Sequence, residues 1–371
     1  MALILAVLYV VRVISLPAGM AVDLAPPPLY NWAVPPFHQL PDIALSRVGS
    51  IAILMHPQGP SWGRTTKVLV VRPDGTQLVL TRPSDRELAV AFGEGPGQGR
   101  TTPSYPYASF DSVRLARDGT PFVTIASPFS GAFSGSQTAV FSWNGRRWTN
   151  QATDEGNVTI GAVDMPWRAA YNANYWNMVV NLDEANKDPH YHEFWTFLLD
   201  GKEQARIGYG EAMAMSGDTV VGYSAGLTQL AKPPPQPSTA WEWLHGKLMK
   251  LGAGVAYGVN ASHDAVGEDE EALGKAGVPV LWRGGRAIPL SFAKGSALAI
   301  GDDGTIVGQV GDDGFLIRGD DAAKTVVKVD SLLAQREWHV SAVYAIAATG
   351  RLLAVGHRAN EGLCVLILDP K

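Results

Sequence analysis

Cysteine is almost missing: Cys364 is the only one in 371 residues. A lone thiol excludes an internal disulfide and any multi-cysteine metal site. It lies in the apolar run 363–368, where it reads as a small buried hydrophobe. Charge is also sparse, at 18% of residues and a net −5. No cluster of lysine and arginine is long enough to follow a phosphate backbone, which removes nucleic acid as a partner. After Asp23 no apolar run is long enough to span a bilayer. Nucleophile elbow, phosphate loop, dinucleotide fingerprint and His-Glu-x-x-His helix are all lacking. No cofactor and no resident metal are therefore expected.

What is abundant is turn chemistry and tryptophan. Forty glycines and twenty-five prolines are spread along the chain, and eleven tryptophans recur inside strand-like apolar runs. The N-terminus differs in kind. Residues 2–11 are continuously apolar, Arg12 interrupts them, and residues 13–16 resume. Pro17, Ala18, Gly19, Met20 and Ala21 then supply a break and small residues of the kind a signal peptidase cuts. The expected organisation is a signal peptide or N-terminal hydrophobic segment over 1–23, then one domain over 24–371. The expected location is secreted or periplasmic, with no membrane contact once the segment is removed.

Internal repetition is clearest in the second half. AMAMSGDTVVG (212–222), AYGVNASHDAVG (256–267), ALAIGDDGTIVG (297–308) and VYAIAATGRLLAVG (343–356) each read as strand, polar turn, strand ending in Val-Gly. A second element follows at a variable distance: TAWEWLHG (239–246), VPVLWRG (278–284), GFLIRG (314–319) and GLCVLILD (362–369). KVLVVRPDG (67–75), TAVFSWNG (138–145) and FWTFLLDG (194–201) fit the same place. Asp-Gly and Asn-Gly pairs suit two-residue hairpins. The unit is four strands in roughly 40–50 residues, the spacing of a propeller blade. Units fall near 41–80, 104–150, 158–207, 208–253, 254–293, 294–333 and 337–371. The fold class is all-β, a β-propeller of about seven four-stranded blades, with six or eight as alternative counts. Residues 24–40 are the candidate for an extra strand that closes the ring.

These repeats resemble the HAF-repeat (extracellular repeat) proteins of bacteria, whose units pair an Ala-x-Ala-Ile-Asn-x-x-Gly-x-Val-Val-Gly stretch with a His-Ala-Phe strand. The likeness is carried by 297–308 and 345–356 for the first element and by 139–145 and 278–284 for the second. No complete His-Ala-Phe triplet occurs, and the first element's asparagine persists only as Asn260. The resemblance implies a propeller and export; it transfers no catalytic residue.

Blade topology places tight turns on one face and the second-to-third-strand loops on the other. Those loops, near 55–66, 127–138, 181–192, 223–238 and 268–277, are long, so a binding face is expected there. Residues of the right chemistry fall on it. His190, Tyr191 and His192 are the candidate catalytic group, because alternation puts two imidazoles on one side of a strand. His56, Trp62, Arg64, Tyr175, His357 and Arg358 are candidate ligand-binding residues. Two functions fit this pattern. One is a binding module for a polysaccharide or another extracellular protein. The other is a polysaccharide lyase or hydrolase, with arginine neutralising a uronate and histidine or tyrosine moving the proton.

Overall fold

The computed structural model describes residues 8–24, 42–58, 66–92, 105, 108–128, 136–155, 157–174, 195–224, 238–270, 277–291, 293–318 and 325–371. Seven antiparallel sheets stand in a ring, each running outward from an inner strand. Blade one contains β2 (Met20–Ala21), β3 (Ile43–Leu45), β4 (Ile51–Pro57), β5 (Lys67–Val71) and β6 (Gln77–Leu80). The helix α1 (Asp85–Ala91) follows, opened by a capping box between Ser84 and Glu87. Blade two is β7 (Ser109–Leu115), β8 (Pro121–Pro128), β9 (Ser136–Trp143) and β10 (Trp148–Glu155). Blade three is β11 (Asn157–Met165), β12 (Arg168–Asn174), β13 (Trp195–Asp200) and β14 (Glu203–Tyr209).

Blade four is β15 (Glu211–Ser216), β16 (Thr219–Ser224), β17 (Thr239–Leu244) and β18 (Lys247–Ala253). Blade five is β19 (Val255–Val259), β20 (Ala265–Asp269), β21 (Val278–Arg283) and β22 (Arg286–Pro289). Blade six is β23 (Gly295–Ile300), β24 (Ile306–Val310), β25 (Asp313–Ile317) and β26 (Val327–Lys328). A short 3-10 turn, Val329–Leu332, leads out of it. Blade seven is β27 (Trp338–Ile346), β28 (Leu352–Arg358) and β29 (Cys364–Pro370), with β1 (Tyr9–Val13) as its outermost strand. The expected units and the observed blades coincide.

Among the described residues, the outermost strand of blade seven is Tyr9–Val13. Of the segment expected to close the ring, residues 25–40 lie outside the described residues. Tyr9–Val13 alternates, with Tyr9 and Val11 buried and Arg12 turned outward.

The Val-Gly signature has a packing reason. Gly222 in β16 lies directly across from Trp241 in β17, and Gly308 in β24 from Phe315 in β25. A methyl group on Gly222 would meet the Trp241 ring at 2.7 Å and the Glu211 carbonyl on the other side. One on Gly308 would meet the Phe315 ring at 2.9 Å and the Ser296 carbonyl. The first repeat element thus ends in glycine because the second brings an aromatic ring across it. Trp241 and Phe315 are buried by this contact and pack between blades.

Neighbouring blades are also stitched by hydrogen bonds to inner-strand backbone. Thr66 donates to the Phe110 carbonyl at 3.0 Å, and the Ile160 amide donates to Ser112 Oγ at 3.1 Å. Asn172 accepts from the Ala212 amide at 2.8 Å and donates to its carbonyl at 3.3 Å, imitating a strand.

Candidate functional site at the loop end of the central channel

Six of the inner strands, β7, β11, β15, β19, β23 and β27, carry a β-bulge. A bulge leaves one residue unpaired and re-aims its side chain. The bulge residues include Asp111, Met213, Tyr257, Leu298 and Tyr344. Four of these, Met213, Tyr257, Leu298 and Tyr344, cluster with Tyr223 and Val255 and line the channel.

On the tight-turn side the channel opens as a funnel of about 370 Å³. Its walls are apolar, and its mouth is charged by Arg47, Arg117, Asp164, Asp302 and Asp303. The charges are paired across blades. Arg117 meets Asp164 at 2.8 Å and donates to Ser216 Oγ at 3.3 Å, while Arg47 pairs with Asp302.

The loop side is different. Asp42 stands at the head of the inner strand of blade one, and Asp111 is the bulge residue of blade two. Burial pushes Asp42 up to about 6, Arg114 pulls it down, and the Asp23 carboxylate adds to the rise. Burial also pushes Asp111 up to about 6, helped by the like charge of Asp42 and opposed by His56. Solvent reaches Asp111 although protein surrounds it, as befits a group facing the inside of a channel. Arg114 lies between the two halves. Burial lowers its affinity for a proton, and Asp42 and Glu211 oppose that loss. It donates to the carbonyls of Val113 at 2.7 Å and Gly161 at 3.3 Å.

Further acids surround the same end. Glu211 accepts from the Tyr223 hydroxyl at 3.0 Å, Glu270 from the Ser238 amide at 3.2 Å, and Glu268 from Ser296 Oγ. Tyr257 is pushed well above its ordinary value by burial and by Glu268, Tyr223 and Glu270. On blade three, Arg206 lies 4.4 Å from the Trp195 ring and 5.7 Å from that of Tyr209.

Of the candidates read from sequence, His56 is brought to this cluster. It sits in β4, paired with Ala21 of β2, and acts on Asp111. His357 and Arg358 have their contacts at the junction of blades six and seven. His357 faces His339 across the strands, with ring centroids 5.0 Å apart. Arg358 lies 4.6 Å from the Trp338 ring and 3.8 Å from Glu337. His190, Tyr191, His192, Trp62, Arg64 and Tyr175 lie outside the described residues.

One further group has ligand-like chemistry: Asp313, Asp330 and His339 bring an oxygen or nitrogen each within 4.8 Å. These atoms already have partners. His339 Nδ1 meets Asp330 at 2.8 Å, its Nε2 meets the Asp312 carbonyl at 3.0 Å, and Lys328 meets Asp313 at 2.6 Å. Burial lowers the His339 pKa, but the Asp330 bond and charge outweigh it and leave the group raised.

Asp42, Asp111 and Arg114 escaped the sequence reading because nothing local marks them. The available signal was positional and covers only two of them: Asp42 and Asp111 lie at or near the start of a first strand, on the face already expected to bind, whereas Arg114 lies near the far end of β7.

The fold is a seven-bladed β-propeller whose channel is lined with charge at the loop end. No family model matches the chain, and no curated protein matches it. Among solved structures it is similar to acylaminoacyl peptidase of Pyrococcus horikoshii, with TM-score 0.55 and 10% identity over 88% of this chain and 50% of that one. The chain thus spans about half the length of that peptidase. It is also matched to TolB from Acinetobacter baumannii, with TM-score 0.34 and 9% identity over 84% of this chain and 78% of that one. A third match is the hemagglutinin-neuraminidase ectodomain of parainfluenza virus 5, with TM-score 0.32 and 8% identity over 89% and 79%. At these identities the likeness concerns fold alone. No helix among the described residues is long and apolar enough to cross a membrane.

Proposed function

We propose that the protein is an exported binding module that holds a glycan at the loop end of its channel, with Asp42, Asp111, Arg114 and His56 as the polar contacts. One observation carries the reading. Burial holds Asp42 and Asp111, on the inner strands of two neighbouring blades, both near 6, with Asp23 adding to the rise of the first and Asp42 to that of the second, and Arg114 opposes the rise of Asp42. Such an arrangement costs the fold stability, and groups held this way concentrate at functional sites. Carboxylates accept from sugar hydroxyls while a guanidinium donates to ring and hydroxyl oxygens, so the set suits a polyhydroxylated ligand. Repeats like those of the HAF proteins agree with export.

The test is calorimetric titration of the full chain with neutral and acidic oligosaccharides. Asp111→Asn is expected to weaken the best ligand at least about tenfold, equivalent to the loss of about 1.4 kcal/mol. Unchanged affinity in Asp111→Asn would remove the channel end from the reading.

The second reading is a glycoside hydrolase. It is favoured by the same pair, since carboxyls titrating near 6 are suited to act as proton donor and acceptor. New reducing ends from the titrated oligosaccharides, lost in Asp42→Asn, would decide for it.

A further inference from the structure

The N-terminal segment has the composition of a leader, yet its residues are used like those of a blade. Tyr9–Val13 pairs with β29 over five positions, from Tyr9 opposite Pro370 to Val13 opposite Leu366. Gln335 grips the outer side of the strand, accepting from the Val11 amide at 3.0 Å and donating to its carbonyl at 3.3 Å. The Tyr9 carbonyl accepts from Ala334 and the Leu8 carbonyl from Lys371, both at 2.8 Å. Arg12, which breaks the apolar run, pairs with Asp369. Its place in the sequence is thus explained by strand alternation, because it falls on the outward face between Val11 and Val13.

The following residues continue into blade one. Ile14 is buried with Ile51, Ile53 and Ile367, so it belongs to a core shared by the two blades that meet at the seam. Met20–Ala21 then pairs with Pro57 and His56 of β4. This brings Asp23 close enough to act on Asp42.

We propose that residues 8–24 are retained in the mature protein, where they close the ring and form one wall of the loop-end site. The part concerning the wall rests on the function proposed above; the part concerning closure does not. Removal of the segment at its small residues would strip blade seven of its outer strand and expose the edge of β29 to pairing with other chains. It would also uncover the seam core at Ile14.

The experiment reads closure without any ligand. The full chain is produced in a host with an export pathway, and the purified protein is weighed intact. A mass that includes residues 8–24 is expected. Hydrogen exchange at residues 9–13 is expected to be as slow as in β29, and Gln335→Ala to speed it about tenfold. A chain starting at residue 22 is expected to melt at least about 10 °C lower. Adding a synthetic peptide of residues 8–21 is expected to restore the lost stability. A mature protein that begins beyond residue 17 and melts with the full chain would overturn the proposal. So would exchange at 9–13 as fast as in a free peptide. The wall is read separately: Asp23→Asn is expected to move the carbon-13 titration of Asp42 toward ordinary values. An unmoved Asp42 would refute the wall while leaving closure intact.

Discussion

Replacing Gly222 with alanine is expected to lower the unfolding free energy by about 2–3 kcal/mol, the usual cost of forcing an extra group into a packed core. The measurement is the midpoint of urea unfolding, with the slope unchanged. Taken alone, the swap from glycine to alanine favours the fold by about 0.4–1 kcal/mol through the unfolded chain. Sterics outweigh that gain here. The added methyl has the Trp241 ring on one side and the Glu211 carbonyl on the other, and neither can retreat. Trp241 is fixed between blades, and Glu211 begins an inner strand. Gly208 is the control, because a methyl there meets only Leu248 side-chain atoms at 3.4 and 3.5 Å. Gly208→Ala is expected to fall within about 0.5 kcal/mol of the parent. Equal midpoints for both variants would mean that the repeated glycine is not there for the aromatic ring.

The second large effect runs in the opposite direction. Asp42→Asn is expected to make the protein more stable at pH 8, and to lose that advantage as the pH falls. The sign follows from the raised pKa. An ordinary aspartate titrates at 3.8, whereas folding moves Asp42 to about 6. Between those values the native state binds more protons than the unfolded chain, so stability falls as pH rises. The cost is absent below about 3.8 and complete above about 6. A two-unit shift has a ceiling of about 3 kcal/mol. Solvent reaches the half-buried carboxyl, which reduces the expected gain to on the order of 1–2 kcal/mol. Thermal melts at pH 8, 6 and 4 give the test. A variant less stable than the parent at pH 8 would mean that the attraction between Asp42 and Arg114 exceeds the desolvation cost.

These two residues also mark what could be read from sequence. The ring was legible because its period is written twice, in Val-Gly endings and in aromatic third strands. Those two signals meet as one contact at Gly222–Trp241 and Gly308–Phe315. The closing strand was hidden by composition. A strand buried on one side and flanked by apolar residues looks like a leader, and only Arg12 hinted at an alternating pattern. His56 was found because histidine attracts notice on a long loop. Asp42 and Asp111 look like ordinary polar residues beside strands, and their chemistry comes from burial and from charges on neighbouring elements, Asp23 for the first and Asp42 for the second. That proximity is created by two blades meeting at the axis, and short-range patterning does not encode it. The bulge that turns Asp111 inward is a matter of register between β7 and β8, which a single strand's sequence cannot display.

Closure of blade seven by strands far apart in sequence imposes an order on synthesis. Tyr9 leaves the ribosome long before its partner Pro370. Until then six sheets must gather as an open arc, with Val11 and Ile14 lacking the surfaces that bury them. Contacts between residues so distant along the chain form slowly, because a large loop must close before they return any energy. The newborn protein therefore carries an unsheltered apolar strand until β29 is made, and helpers that shield such strands would act on Tyr9–Val13.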